Sequence, residues 1–305
     1  MSCSVRIVAV VVTYHPELAD LARQLEALSP QVSEIVIVDN GSAISIEGFV
    51  ASLRDCGNVS VQSLNSNLGI GYAQNVGIAH AMIVGAQYVA IFDQDSLPAA
   101  DMVQKLYDAA SGLQSRGVQL AAVGPAYKDT SNGTLSGFVR VGLFGFSRMP
   151  AIAGSAPIEA DFVISSGSLI PLETIKVVGD VDASLFIDHV DTEWCFRAKS
   201  HGYRLFGVSD ALMMHSLGDR RGRIWFLRWR TVPYHSPFRY YYMFRNSVIL
   251  LRRPYMPYLW KVADIGRCAR ALVYFGLFSS SRAASTKMML KGVADGLRGI
   301  TGKLQ

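Results

Sequence analysis

The chain has 305 residues, of which 50% are hydrophobic and 17% are charged, so it can bury the core of one large domain or of a domain with a smaller appendage. Its four cysteines show no paired spacing, and its first apolar run is too short for a signal peptide, which favours free thiols in a reducing cytosol over a secreted, disulfide-bonded protein. The net charge of +5 is uneven, because residues 1–218 carry 12 Lys and Arg against 21 Asp and Glu, whereas residues 219–305 carry 17 against 3. We therefore predict an acidic domain over 1–218 and a basic region over 219–305.

The first hundred residues alternate between apolar runs and helical patterns. Apolar runs typical of strands buried on both faces of a parallel sheet occupy 5–14 and 33–42, and the runs at 59–65 and 88–96 are predicted to be a third and a fourth strand. Helical patterns follow the first and third of these runs, at 16–28 and 71–86. This alternation predicts an α/β fold with a doubly wound, mostly parallel sheet.

Polar residues follow several of these predicted strands. They are Thr13, Asp39, Asn67, Asp93 and Asp95. Ligands of doubly wound sheets bind at the carboxyl ends of the strands, so this placement indicates a binding site.

The pattern changes after residue 100. A further strand is predicted over 120–127, and the Gly-, Ser- and Thr-rich residues 128–160 indicate a hairpin or a long loop over the site. Residues 160–171 resemble a strand broken by Ser-Gly-Ser. A short helix is predicted from about Val190, with Gly202 as its left-handed C-cap, before a last strand that ends near His215.

Asp93 and Asp95, in the stretch FDQDS, point to the same side of an extended segment. Such a pair suits Mg²⁺ or Mn²⁺, which take carboxylate oxygens together with substrate phosphates. An equally weighted interpretation is that Asp95 or Ser96 caps a following helix. A third is the nucleophile of a haloacid-dehalogenase-type phosphatase, against which the three preceding strands argue.

Two further stretches suit a nucleotide. In VDNGS, Asp39 can accept a hydrogen bond from a base, although Asn-Gly also forms plain turns. In NSNLGIGYAQNVGIAHA, Gly69 and Gly71 allow close backbone approach, and the helix N-terminus offers donors to an anion. This second stretch lacks both the Walker lysine and the GxGxxG spacing, so it is a weak signal.

The stretch FIDHVDTEWCFRA carries three carboxylates, Asp188, Asp191 and Glu193. Crowded carboxylates raise one another's proton affinity, which favours a general base among them. Asp191 also stands where a helix begins, so N-capping is the alternative interpretation. His215 is a candidate third metal ligand, although most isolated histidines are not ligands.

Taken in order, these stretches resemble an inverting family 2 glycosyltransferase of the GT-A fold, and most closely the bacterial L-rhamnosyltransferases. The matching segments are VVVTYHP, VDNGS, NLGIGYAQNVGI, FDQDS, SSGSLI, FIDHVDTEWCFRA, MMHSLG and PFRYYYMFRNSVILLRR. The resemblance implies a GT-A domain over 1–218 with a basic, mainly helical region over 219–305.

The resemblance also implies roles for individual residues. Those that would contact the nucleotide-sugar or border the acceptor are Thr13, Asp39, Asn67, Gly71, Asn75, Asp93, Ser165, Ser166 and Gly167. Asp95 would bind Mg²⁺ or Mn²⁺ with Asp93, and His215 would be a further metal or diphosphate contact. Asp191 would be the base, because it stands six residues before Arg197, as the base does in the family.

By the same resemblance, the enzyme would transfer L-rhamnose from dTDP-β-L-rhamnose to a lipid-linked saccharide or glycolipid, in O-antigen-type polysaccharide or rhamnolipid synthesis. The alternatives are a family 2 transferase using a UDP- or GDP-sugar and an inactive sugar-nucleotide-binding protein.

The basic region mixes arginines with aromatic residues. That composition suits helices lying on an anionic membrane, and no span of about 20 uncharged apolar residues would cross one. The expected location is therefore the cytoplasmic face of the membrane. A homo-oligomer interface is the main alternative, whereas the acidic domain and the transferase motifs argue against a nucleic-acid partner.

Overall fold

The computed structural model describes residues 5–53, 57–129, 135–142, 145–215, 221–226, 228–233, 236–278 and 282–304, without the side chains of 129, 215, 221–226, 228–233, 277 and 278. The first third contains, in chain order, β1 (Ile7–Thr13), α1 (Leu18–Leu28), β2 (Glu34–Asp39), α2 (Ile46–Ser52), β3 (Val59–Ser63), α3 (Ile70–Ile83), β4 (Tyr88–Asp93), β5 (Ser96–Pro98) and α4 (Met102–Gln114). The alternation predicted from the sequence is confirmed.

The apolar run of β1 explains why this strand lies at the centre of the fold. Val8, Val10 and Val12 pack in one core together with α3, whereas Ala9 and Val11 pack in a second core with α1 and α4. Successive residues of a strand point to opposite faces, so a strand covered by helices on both sides must be apolar at every position.

The middle of the chain adds further strands and two helices. They are β6 (Leu120–Asp129), β7 (Phe138–Gly142), β8 (Gly145–Met149), β9 (Ile158–Ala160), β10 (Ser168–Pro171), α5 (Leu172–Val178), α6 (Val190–Ser200) and β11 (Arg204–His215). The hairpin of β7 and β8 agrees with one of the two expectations for residues 128–160. Helix α6 begins at Val190 and is followed by Gly202 at φ 86°, both as predicted.

The main sheet has the strand order β3-β2-β1-β4-β10-β6-β11-β5, with β9 also paired to β11. The pairs among β1, β2, β3 and β4 are parallel, as is β6 with β11, whereas β10 runs antiparallel between β4 and β6. The sheet is therefore parallel over β1, β2, β3 and β4, as expected, and mixed over the remaining strands.

The last part of the chain contains β12 (Arg221–Phe226), β13 (Arg228–Pro233), α7 (Pro237–Leu251), α8 (Tyr258–Phe278) and α9 (Arg282–Leu297). The two strands form an antiparallel hairpin, and the three helices pack on one another around Tyr240, Phe244 and Met289. Among the described residues, none of the helices is both long and apolar enough to cross a bilayer.

Candidate active site

The carboxyl ends of β1, β2 and β4 meet at one edge of the sheet. Thr13 pairs in register with Asp39, and Val12 pairs with Asp93. Parallel strands in this register end side by side, so Thr13, Asp39 and Asp93 lie along the same edge. The prediction that these strand ends converge is confirmed.

Thr13 and Asp39 form a buried polar pair. The Thr13 hydroxyl donates to Asp39 Oδ1 at 2.9 Å, and the Ser42 backbone N–H donates to Asp39 Oδ2 at 2.9 Å. These donors hold the Asp39 carboxylate, which is only 4% exposed, in one orientation. The adjacent Tyr14 ring is 44% exposed, which leaves an aromatic face beside an oriented acceptor.

Gln94, the residue between Asp93 and Asp95, connects the two acids to the backbone of Tyr14 at the end of β1. Its Oε1 accepts from the Tyr14 backbone N–H at 2.7 Å, and its Nε2 donates to the Tyr14 carbonyl at 3.2 Å. The turn that carries Asp93 and Asp95 is therefore held in place by the backbone at the end of β1.

The interpretation of Asp95 or Ser96 as a helix cap is wrong. Residues Ser96–Pro98 form β5, which pairs antiparallel with β11 and places Ser96 opposite His215. Helix α4 begins only at Met102, after Asp101. Asp95 itself is exposed at the turn. The pair of acids is thus not explained by helix capping.

Asp93 is the last residue of β4, and buried polar side chains bind its backbone. Its backbone N–H donates to Ser166 Oγ at 3.1 Å, and its carbonyl accepts from Gln24 Nε2 at 2.7 Å. Its Oδ1 is buried and has no hydrogen-bond partner among the described residues. Burial first, and then the negative charges of Asp95 and Asp191, raise the Asp93 pKa to about 7, against a smaller lowering effect of Arg239.

This arrangement fits a hard divalent cation. Within the described part of the chain, no group of three His, Cys, Asp or Glu side chains forms a metal cage. However, Mg²⁺-type ions commonly use one or two carboxylates plus substrate phosphates, and the Asp93 oxygen without a partner offers such a ligand. The backbone of His215 lies beside Ser96, whereas its side chain lies outside the described residues.

Asp191 is the least engaged of the three carboxylates near the start of α6. Arg239 Nε lies 3.1 Å from Asp188 Oδ1, and Glu193 is fully buried against Arg197 and Arg253. The structure records only hydrogen bonds from the adjacent Thr192 for the Asp191 carboxylate, among the residues it describes.

Asp191 also borders the interior of the domain. Together with Ser165 and Cys195 it lines a small cavity of about 20 Å³. Burial raises the pKa of Asp191, and the Asp188 charge raises it further, although the hydrogen bonds from Thr192 oppose this effect. A carboxylate with a raised pKa is a better proton acceptor than an ordinary one.

The glycine-rich stretch lies against the segment that precedes α6. A Cβ atom on Gly71 would approach Ala183 Cα to 3.2 Å, so only glycine allows this contact without rearrangement. Both ends of the Asn75 amide bind the Val181 backbone, at 2.9 and 3.1 Å. Asn67 accepts from Asn40 and from the Gly69 backbone. Gly71 and Asn75 therefore contact the backbone of the segment that precedes α6.

Ser166 and Gly167 contact the end of β4, next to Asp93. The Ser166 hydroxyl is buried and lies 2.6 Å from Ser96 Oγ, besides accepting from the Asp93 N–H. Gly167, at φ 78°, donates its N–H to the Ile91 carbonyl at 2.7 Å. These contacts position Asp93, whereas the neighbouring Ser165 faces the cavity beside Asp191.

Three residues that the sequence interpretation had given no role belong to this site. They are Gln94, Arg239 and Asn246, the last of which donates from its side-chain amide to the Asp188 carbonyl at 2.9 Å. Gln94 could have been found as the central residue of FDQDS. Arg239 and Asn246 stand in FRYYYMFRNS, but nothing local in that stretch indicates which carboxylate or backbone group each of them meets.

Comparison with known proteins decides the family. The family model described as glycosyl transferase family 2 matches residues 9–165. The chain is also 32% identical, over 97% of both chains, to a protein of Shigella flexneri described as the dTDP-rhamnosyl transferase RfbF. The protein belongs to glycosyltransferase family 2.

Solved structures show the same fold in other transferases. Staphylococcus aureus TarS (residues 1–349) aligns with a TM-score of 0.60 at 16% identity, covering 95% of this chain and 80% of the other. GalNAc-T7, solved with UDP, GalNAc and Mn²⁺, aligns with a TM-score of 0.62 at 15% identity, covering 98% of this chain and 57% of the other. The family 2 enzyme described here thus has the GT-A fold.

The raised pKa of Asp93 predicts how the stability of the metal-free protein depends on pH. Below its unfolded value of 3.8 the carboxyl is protonated in both states, but as the pH rises towards about 7 the folded state must hold a proton that the unfolded state has lost. The free energy of unfolding of the wild type therefore falls as the pH rises from 3.8 to about 7. We expect Asp93→Asn to match the wild type near pH 4 and to gain thermal stability relative to it up to about pH 7.

This comparison is made by thermal unfolding in EDTA across that pH range. The control is Asp101→Asn, because Lys105 lowers the pKa of Asp101 and its loss should not stabilise the protein at neutral pH. A constant difference between Asp93→Asn and the wild type at every pH would contradict the burial and crowding of this carboxylate.

Proposed function

We propose that this transferase moves L-rhamnose from dTDP-β-L-rhamnose to an acceptor hydroxyl by metal-dependent, inverting displacement. The observation that carries the proposal is that Asp93 closes β4 and is held by Ser166, while Asp191 lines a cavity with the adjacent Ser165. An acidic pair for the diphosphate end of a donor and a separate base for an acceptor are the two requirements of this reaction.

The donor assignment rests on the nucleotide end of the site and on the Shigella relative. The oriented Asp39 carboxylate can accept from a base N–H, and the exposed Tyr14 ring offers a stacking face. These features suit thymine and uracil alike, and the printed description of the relative, dTDP-rhamnosyl transferase, favours dTDP. A UDP-sugar is the second candidate, because TarS, which has the same fold, has been solved with UDP-GlcNAc.

Asp93 and Asp95 would hold Mg²⁺ or Mn²⁺, with His215 as a further contact. When bound, such an ion neutralises charge that develops on the diphosphate leaving group. Gln94, Ser166 and Gln24 keep the two carboxylates at the strand end. Of the residues first predicted to line the donor, we retain Thr13, Asp39, Asn67 and Asp93, and we assign Gly71, Asn75, Ser166 and Gly167 to positioning the site.

Asp191 would act as the general base. It would take the proton from the acceptor hydroxyl while that oxygen attacks the anomeric carbon from the side opposite the diphosphate. This displacement inverts the anomeric centre, so a β-L-rhamnosyl donor gives an α-L-rhamnoside. Asp188 and Glu193 are poorer candidates, because arginines neutralise both.

The acceptor would be a saccharide carried on a lipid, reached by binding to an anionic membrane. Helix α8 exposes Tyr258, Val262, Ile265 and Val273 at spacings that form one stripe. Two of the three acids after residue 218, Asp264 and Asp295, are buried in ion pairs, which leaves the surface strongly basic. An apolar stripe on a basic surface suits an anionic lipid interface.

The base assignment predicts a selective defect. Asp191→Asn should lower kcat by about 10²–10⁴-fold, because the acceptor hydroxyl loses its proton acceptor. Affinity for dTDP should change little, since Asp191 is not part of the nucleotide end. Turnover and dTDP binding are measured on purified protein, with Asp108→Asn, an exposed acid of α4, as the matched control. Near-normal turnover of Asp191→Asn would exclude Asp191 as the base.

The donor and metal assignments are tested by ligand-induced thermal stabilisation. We expect dTDP-rhamnose with Mn²⁺ or Mg²⁺ to raise the melting temperature more than UDP- or GDP-sugars do, because a ligand that binds only the folded state stabilises it. EDTA should weaken this stabilisation and abolish transfer. A shift confined to UDP-sugars would overturn the dTDP assignment, and unchanged turnover after metal stripping would overturn the metal role.

The membrane proposal predicts salt-sensitive sedimentation with anionic vesicles. The double variant Val262→Ser, Ile265→Ser should sediment less, because it loses apolar area on α8. Ile83→Ser is the matched control, since Ile83 is 84% exposed on α3, outside the basic region. Equal sedimentation of both variants, or an α8-dependent dimer in solution without vesicle binding, would contradict the proposal.

A further inference from the structure

The segment before α6 has an unusual backbone. Phe186, Asp188 and His189 have φ values of 65°, 63° and 64°, and none of them is glycine. Left-handed conformations are unfavourable for residues with a Cβ atom and persist only where surrounding contacts enforce them. The segment ends two residues before Asp191, so its shape sets where that carboxylate lies.

The contacts that enforce this shape come from α7. The Asn246 side chain is fully buried, and its Nδ2 lies 3.0, 2.8 and 2.9 Å from the carbonyl oxygens of Leu185, Ile187 and Asp188. The neighbouring Arg245, also fully buried, donates to the Leu185 carbonyl at 2.7 Å. Buried carbonyl groups without donors are costly, so these side chains favour the left-handed arrangement that turns the carbonyls towards α7.

The opposite side of the segment rests on the nucleotide-binding half. The Ile70 backbone N–H donates to the Phe186 carbonyl at 2.8 Å. A Cβ atom on Gly69 would lie 2.7 Å from that same oxygen, so glycine is needed for the approach. The segment is thus fixed between the start of α3 and the buried face of α7.

We propose that Asn246 is a positioning residue of the active site, which sets the conformation of the segment 185–189 and thereby the place of Asp191. The inference rests on the proposed role of Asp191 as the base. It makes α7, in the basic region, a structural part of the transfer site. A displacement of about 1 Å of a reacting group can cost about 10²-fold in rate, so the contact is expected to matter for kcat.

The test is Asn246→Asp, which keeps the side-chain volume but replaces the amide donor by an oxygen facing three carbonyl oxygens. A second variant, Asn246→Ala, removes the donor without burying a charge and serves if the first does not fold. We expect both to lower kcat by about 10²-fold while the Kd for dTDP with Mn²⁺ changes less than about threefold, because Thr13, Asp39 and Asp93 lie on other elements.

The matched control is Tyr241→Phe. It removes only the hydroxyl that donates to Asp295 Oδ2 at 3.0 Å, and it keeps the ring that packs in one cluster with Phe186. Its kcat should stay within about threefold of the wild type. A folded Asn246 variant with near-normal kcat overturns the proposal, and so does a Tyr241→Phe variant with an equal loss of kcat.

The outcome is separable from that of the proposed function. If Asp191→Asn retains turnover, the base assignment fails whatever the Asn246 variants do. If Asp191→Asn is inactive and folded Asn246 variants are active, only the positioning role fails.

Discussion

Mutual repulsion among carboxylates is the constraint on which this site depends. Asp93 is half-buried, and the charges of Asp95 and Asp191 raise its pKa further. Left to themselves, such groups would move apart or take up protons. They stay together because rigid neighbours hold them: Ser166 and Gln24 fix the backbone around Asp93, and Arg239 neutralises the nearby Asp188. A positive charge placed at this edge of the sheet would relieve the repulsion.

Two parts of the chain build this one site. The strands β1, β2 and β4 end in Thr13, Asp39 and Asp93, whereas α6 carries Asp191. Helix α6 is tied to the basic region by Glu193, which is fully buried and pairs with Arg253 at 2.9 Å, and by the Tyr255 hydroxyl, which lies 2.5 Å from Glu193. Removing one partner of such a buried pair is costly, so the pair stabilises the contact between α6 and the basic region.

The predictable parts of the fold were those governed by local pattern. The runs of β1 and β4 are apolar at every position because helices cover both faces of the sheet, and Asp93 was placed because polar residues close such strands. Ser96–Pro98 was misinterpreted as a helix start, since its strand exists only through pairing with β11. The residues around Ser96 do not indicate a strand, because β11 lies more than 100 residues further along the chain.

The candidate site was predictable in its acids but not in their supports. Asp191 could be chosen over Asp188 and Glu193 only through the family resemblance, because the arginines that distinguish them lie far along the chain; Arg239 is 51 residues from Asp188. The left-handed segment gave too weak a signal to be predicted: Asp and His adopt such a backbone more often than most residues do, but Phe186 does not, and all three types are far more common in other conformations. Their shared conformation here is stabilised by contacts with α7.

The central claim is that Asp93 and Asp95 form the metal and diphosphate end of the site and Asp191 a separate base. Anomalous diffraction from crystals grown with Mn²⁺ and dTDP tests this division most directly. The account predicts an anomalous peak at about 2 Å from carboxylate oxygens of Asp93 or Asp95, next to the diphosphate, with Asp191 outside the coordination sphere. A peak coordinated by Asp191, or nucleotide bound with Mn²⁺ away from this edge of the sheet, would contradict it.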